Sequence, residues 1–443
     1  MTDQLDTDYL IVGAGAMGMA FADELFHRDP DARMVIVDRR AAPGGHWTDA
    51  YPYVRLHQPA LFYGVNSQRL ERDETDLASG PAIVGYFRQV MDRLQGSGRV
   101  TFLPMTERRD DGALQSLVNP DIVTQVTTRR RVVDAGVMNV QVPAMRPPPF
   151  PVADGAHVVP PNALPAQRRQ WRRHMVLGGG KTGIDAILFL LGIGVPQADI
   201  HWVVPNDSWF WSREAVQGGE ATGDFVRHMN AVIEARDVDH VFHQLEGVGS
   251  VSRLSDTVRP TKWRCATVSR PEVKILQGLQ HVIRMGRVTA IDTDRVQLER
   301  GEIPTGPDTL HIDCTANGLA KLPPRPLFED GRINLQSVVM CQQVFSAAIL
   351  ARLETLGGDD ATRNALCQVI PHPEQITDHP PCVVNSLQNI LNVTRRMPLW
   401  VRRSRLSLLA HESLGNFLGS ALAVHRRLPA ARVRLQDLTG ATV

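Results

Sequence analysis

The sequence predicts an α/β protein with two Rossmann-like dinucleotide-binding domains, one inserted in the other, and a helical C-terminal region. Three observations carry this. A Gly-x-Gly-x-x-Gly triplet follows an apolar run at Gly13, a second triplet follows another such run at Gly178, and a proline-dense stretch separates the two.

The first unit is Asp8-Tyr9-Leu10-Ile11-Val12-Gly13-Ala14-Gly15-Ala16-Met17-Gly18. Gly13 permits a tight turn, Gly15 lets the backbone approach a pyrophosphate, and Gly18 lets helix and strand pack closely. Ala16 and Met17 open a helical reading to His27, whose N-terminus presents N–H groups and a positive dipole end to phosphates. A second apolar run, Met34 to Val37, ends on Asp38, twenty positions after Gly18. An acid there suits the ribose hydroxyls of an adenosine.

The 443 residues suffice for two or three domains with sizeable cores. Hydrophobic content of 43% and charged content of 21% are those of a globular protein, and a formal net charge of +1 argues against nucleic acid or an anionic membrane as partner. The acidic start, Met1 to Asp6, has no signal-peptide character, and the apolar run Ala186 to Leu191 is too short to span a bilayer. Both absences point to the cytoplasm. None of the five cysteines (Cys265, Cys314, Cys341, Cys367, Cys382) forms Cys-x-x-Cys, so they are expected to be reduced packing residues, and no metal site is expected.

After Asp38 come Arg39-Arg40-Ala41-Ala42-Pro43-Gly44-Gly45-His46-Trp47. An acid, a short spacer and Gly-Gly-x-Trp resemble the loop after the second strand in the flavin-containing monooxygenase superfamily. The resemblance implies that the first unit holds FAD, with Arg39, Gly45, His46 and Trp47 among its contacts. Tyr51-Pro52-Tyr53-Val54-Arg55-Leu56-His57-Gln58-Pro59 resembles the Tyr-Pro-Gly-x-Arg-x-Asp segment of Baeyer–Villiger members, which passes the flavin ring. Here Tyr53 replaces the glycine and His57 stands in place of the aspartate. Asn66 falls near an asparagine of the N- and S-oxygenating members. His57, Gln58 and Asn66 are therefore the candidate catalytic groups. A histidine, with an ordinary pKa of about 6.5, is expected to switch between donor and acceptor beside the flavin.

Pro81 to Leu94 reads as an amphipathic helix, and Arg99 to Leu103 and Val123 to Val126 as strands. Residues 146–169, with Pro147-Pro148-Pro149 and Pro160-Pro161, read as a semi-rigid linker. The superfamily's Phe-x-Gly-x-x-x-His signature is absent, since Phe150, Gly155 and His157 have other spacing. The architecture then repeats in Arg173 to Leu177, followed by Gly178-Gly179-Gly180-Lys181-Thr182-Gly183. A P-loop would need glycine at 175, where Met stands, so Gly178, Gly180 and Gly183 read as a second dinucleotide turn with Lys181 and Thr182 at its helix start. No acid ends the next strand, Ile200 to Val204. Arg213 beyond it suits a 2′-phosphate and favours NADPH.

Residues 214–280 read as a helical insertion and Val282 to Val296 as two strands, and Thr309 to Gly318 resembles the superfamily's return strand into the first domain, which implies Asn317 as a cofactor contact. The expected organisation is an FAD domain of 1–145 and 310–443 and an NAD(P)H domain of 170–309. The resemblance implies hydride transfer from NADPH to FAD and insertion of one oxygen of O2 into a small molecule at nitrogen, sulfur or a carbonyl. The alternative is a reductase or dehydrogenase without oxygen transfer. A homodimer stays open as the assembly.

Overall fold

In the computed structural model, residues 2–138, 140–316 and 323–439 are described. Two parallel sheets form its frame. The first runs in the order Arg332–Asn334, Val123–Asp134, Thr2–Val12, Met34–Val37, Val100–Leu103, all parallel, with Phe328–Glu329 antiparallel at one edge. The second is wholly parallel, in the order His281–Ile283, Ile200–Val203, Arg173–Leu177, Thr309–Asp313, Val158–Val159. Both have the doubly wound order in which ligands bind at the carboxyl ends of the central strands.

The central strands are apolar runs because helices cover both faces of the sheet. Met34–Val37 is buried at every position. The helix Ala16–Arg28 packs against Gln343–Glu354, and both helices bury most of their length. The predicted amphipathic helix is Gly80–Gly96. Ser79 caps it by accepting from the Ala82 N–H, and Ile83, Phe87, Val90 and Leu94 face the core.

Two readings from the sequence are corrected. Thr309–Asp313, expected to return to the first domain, pairs residue for residue with Arg173–Leu177 and completes the second sheet. Its end, Asp313-Cys314-Thr315, matches Asp134-Ala135-Gly136 of the first. In each, the aspartate carboxylate accepts the N–H two residues on at 3.0 Å. A strand ending in aspartate and two small residues looks the same at either place, and only pairing tells them apart. The strand that does join the first sheet is Arg332–Asn334.

The stretch 214–280 is also not purely helical. Between the helices Ala221–Glu234 and Val238–Gly247 and the helix Arg270–Gln277 lie Val251–Arg253 and Lys262–Val268, which sandwich Ser208–Ser212 in a small sheet. Its helices pack on the C-terminal helices His379–Arg396 and Leu414–Thr439 in a separate apolar core around Trp211, Phe225, Phe242 and Trp263. Val251–Arg253 has three residues and Lys262–Val268 does not alternate strictly between buried and open positions, so neither gives a period-two signal in the sequence.

Gly18 and Gly183 are fixed by sterics alone. A methyl group on Gly18 would lie 2.0 Å from the Gly13 carbonyl oxygen, and one on Gly183 2.2 Å from that of Gly178. Gly180 has no atom within 4 Å of the same position. Denaturant melts are therefore expected to show losses of about 3 kcal/mol or more for Gly18→Ala and Gly183→Ala, and little change for Gly180→Ala. Equal stability of the three variants contradicts this packing account.

Candidate active site

The two glycine turns open onto one cavity of about 1800 Å³. That exceeds the roughly 300–1,000 Å³ of an ordinary ligand pocket and leaves room for more than one ligand. Gly13 and Gly178 have φ of +110° and +122°, so each turn needs glycine at its first position. Gly15 and Gly180 begin their helices with extended backbone, and neither helix has a side-chain cap. The first-turn N–H groups at both helix starts thus face the cavity without a protein acceptor on the capping side chain. Gly15, Ala16 and Met17 line it at one turn, and Gly180, Lys181 and Thr182 at the other, while Gly18 and Gly183 lie behind as packing positions.

At the first turn Asp38 is nearly buried. One carboxylate oxygen accepts the Ala14 N–H at 2.7 Å and the other the Arg40 N–H at 2.8 Å. This aims its remaining lone pairs along the cavity wall. Arg39 is largely exposed at the rim, 3.5 Å from Glu107. The Gly44–Trp47 loop folds over the turn. A methyl group on Gly45 would stand 2.9 Å from the Gly15 Cα, so two backbones meet there. Trp47 donates its indole N–H to the Tyr63 hydroxyl at 2.6 Å. His46 lines the cavity, and burial, with Arg40 nearby, lowers its pKa to about 4.

The segment expected beside the flavin crosses between the two units. Tyr51 donates to Asp185 at 2.7 Å, and Asp185 also pairs with Lys181. The Tyr53 ring stacks on Phe189 with centroids 4.3 Å apart. His57 and Gln58 follow on the cavity wall. His57 Nδ1 accepts the Thr267 N–H at 3.2 Å, and its carbonyl accepts from Arg213 at 2.9 Å and from the Thr267 hydroxyl. Burial first, then Lys181 and Arg213, lowers the His57 pKa to about 3. The ring is thus neutral near pH 7, with Nδ1 an acceptor and the proton assigned to Nε2. This runs against the expectation of a switch around neutrality, because desolvation and the charges of Lys181 and Arg213 disfavour the protonated ring.

Three further candidates stand elsewhere. Asn66 does not line the cavity. Its amide donates to Glu24 at 2.7 Å and its carbonyl oxygen accepts from Ser404 at 2.8 Å, so it ties the first helix to the C-terminal segment. Arg213 does not line it either. It pairs with Glu272 at 2.7 Å and holds the His57 carbonyl, which leaves its charge satisfied inside the protein. Asn317 lies outside the described residues.

Two features of the site escaped the sequence reading. Arg287 lines the cavity. It follows the strand His281–Ile283 beside Ile200–Val203, and its neighbour Arg284 makes a paired contact with Asp207 at 2.9 and 3.1 Å. Cys265 and Cys341 form a disulfide on the same wall, contrary to the expectation of reduced cysteines. The partners are 76 positions apart, with no local pattern to announce them. The other three cysteines are buried and free, as expected.

Comparison with known proteins bears on the fold. The family described as NAD(P)-binding Rossmann-like domain matches residues 11–66. An uncharacterised protein of Mycobacterium tuberculosis is 41% identical over 427 residues, covering 92% of this chain and 78% of that protein. A probable FAD-binding monooxygenase of Acinetobacter baylyi is 33% identical over 96 residues, 21% of this chain and 19% of that protein. A polycyclic ketone monooxygenase from Thermothelomyces thermophila superposes with a TM-score of 0.55 at 12% identity, over 97% of this chain and 89% of the other. A steroid monooxygenase bound to NADP superposes with a TM-score of 0.51 at 14% identity, over 98% of each. The chain belongs to one family with the mycobacterial protein, and it shares its fold with the polycyclic ketone monooxygenase and the steroid monooxygenase.

Proposed function

We propose that the protein is an FAD- and NADPH-dependent monooxygenase that places one oxygen of O2 on a small-molecule substrate, at nitrogen, sulfur or a carbonyl carbon. The single observation behind this is that two uncapped helix N-termini, each behind its own glycine turn, open on one shared cavity. Bound FAD supplies a hydride acceptor for NADPH and a centre that reacts with O2.

The chain's residues fit that pair of ligands. At the first turn the space beside Gly15 takes the FAD pyrophosphate, Asp38 the adenosine ribose, and the Gly45-His46-Trp47 loop closes over it. At the second, Gly180 and Thr182 offer backbone N–H groups to the NADPH pyrophosphate, and Arg287 supplies the cation for the 2′-phosphate, the role earlier expected of Arg213. His57 holds its Nδ1 on Thr267, which leaves the Nε2–H as a fixed donor near the substrate, with Gln58 beside it. Tyr51, Tyr53 and Phe189 close the gap between the units and keep water from it. The second reading, electron transfer without oxygen transfer, draws on the disulfide in the cavity wall.

Gly15→Val places a side chain where the pyrophosphate lies. The purified variant is expected to be colourless but folded, judged by absorbance near the flavin band and by circular dichroism. Stoichiometric FAD in it sinks the assignment of the first site.

Arg287→Ala removes a charge-assisted contact of roughly 1.5–3 kcal/mol. Half-maximal flavin reduction should then need about ten- to a hundredfold more NADPH, with NADH unaffected. Arg213→Ala should lower the melting temperature and leave the NADPH-to-NADH ratio alone. A changed ratio in Arg213→Ala reverses the two assignments.

Because His57 and His46 have pKa values of about 3 and about 4 when folded, the sign of their pH effect is set. Above an unfolded pKa of about 6.5 neither state is protonated and they contribute nothing. As pH falls below that, the unfolded chain binds protons that the folded one refuses, so stability drops towards pH 4. Melting curves should show this loss, and His57→Gln should reduce it. In the same way, coupling of NADPH use to product should be flat from pH 6 to 8, and His57→Ala should divert turnover to H2O2 while flavin reduction persists. Slowed reduction in that variant places His57 in cofactor binding instead.

A further inference from the structure

The Cys265–Cys341 disulfide spans the two parts of the protein that meet over the cavity. Cys265 lies in the strand Lys262–Val268 of the inserted stretch. Cys341 lies just before the helix Gln343–Glu354, which packs along the helix of the first glycine turn. The Cα atoms are 5.8 Å apart, and both residues line the cavity with Gln343 and Val344. A cross-link that served only to stabilise would be as effective inside a core. This one lines the same cavity as the first glycine turn, where the flavin is proposed to bind.

Two neighbouring features set the pair apart. Cys341 has φ of +61°, a left-handed backbone that a residue with a Cβ seldom adopts and that concentrates at functional sites. His372 Nδ1 lies 3.8 Å from Cys265 Sγ and also faces the cavity. Crowding by protein, with Arg264 close by, lowers the His372 pKa to about 4. The ring is neutral near pH 7 and stands as an acceptor for a Cys265 thiol proton. Of the three unpaired cysteines, Cys367 and Cys382 lie away from the cavity and Cys314 borders it; all three are buried, and burial raises the pKa of each.

We propose that Cys265 and Cys341 form a redox-active disulfide that accepts two electrons from the reduced flavin bound at the first glycine turn. The inference rests on flavin binding there. Reduced flavin gives up two electrons and two hydrogens and returns to its oxidised form. The Cys265 Sγ–Cys341 Sγ bond breaks, and each sulfur leaves with one hydrogen as a thiol. NADPH renews the reduced flavin by hydride transfer, with one proton from solvent. The protein therefore stores a second electron pair beside the flavin, and the Cys265 thiol forms against the His372 ring.

The test counts thiols in the flavin-loaded protein. Excess NADPH is added without oxygen, the sample is denatured in guanidinium and alkylated at once with iodoacetamide near pH 8, where thiols react as thiolates, and it is weighed by mass spectrometry. Three labelled cysteines are expected before NADPH and five after it. Full reduction should consume about two equivalents of NADPH per flavin in the wild type and about one in Cys341→Ser. Cys265→Ser, expected to behave alike, serves if the first variant does not fold. A count that stays at three after the flavin has bleached overturns the proposal, as does a count of five before any reductant. If NADPH fails to bleach the flavin, the reading of the second site fails separately. The flavin is then reduced by light and EDTA, and the same counts decide.

Discussion

The structure depends on one close contact made twice: a backbone carbonyl at a strand end pressed against the third glycine of the helix that follows. At Gly13 and Gly18, and again at Gly178 and Gly183, no side chain fits between. That contact aims the helix N-terminus across the end of its sheet. The middle glycine is different, because no carbonyl presses on it: Gly180 has nothing within 4 Å of the position a methyl group would take, and Gly15 meets only the Gly45 Cα, at 3.7 Å. The first and third glycines serve the fold, and the second serves whatever lies in front of the helix. Without the close contact the helix tilts away and its N–H groups no longer converge on the cavity.

The cavity belongs to neither unit alone. The segment Tyr51–Gln58 leaves the first sheet and anchors on the second through the Tyr51–Asp185–Lys181 network and the Tyr53–Phe189 stack. Thr267 and Arg213 of the inserted stretch then hold His57 in one orientation. Arg213 and Asn66 illustrate one physical point. A charged or amide side chain that looks free in sequence is spent on an acidic partner within the protein, the half-buried Glu272 for one and the buried Glu24 for the other. Glu24 is itself 3% exposed and takes a further indole N–H from Trp400 at 2.6 Å, so the C-terminal helices depend on an acid in the first. Leaving such a group unpaired costs more than the bond contributes, which is why these residues are held away from the cavity.

By itself the sequence determined the local geometry: strand, glycine turn and helix at both sites, the acid at Asp38, the Gly-Gly-x-Trp loop and the amphipathic helix over 81–94. These follow from properties that act over a few residues, namely glycine at positive φ, apolar periodicity and helix-end hydrogen bonds. Tertiary structure alone decided which sheet received Thr309–Asp313, since the Asp-x-x ending of that strand is the same in both units. It also decided that Arg213 faces Glu272 while Arg287 faces the cavity, that His57 stays neutral, and that Cys265 meets Cys341. Each of these is a matter of which groups approach across tens or hundreds of residues. Desolvation, ion pairing and strand register depend on that approach in space, and spacing along the chain carries no record of it.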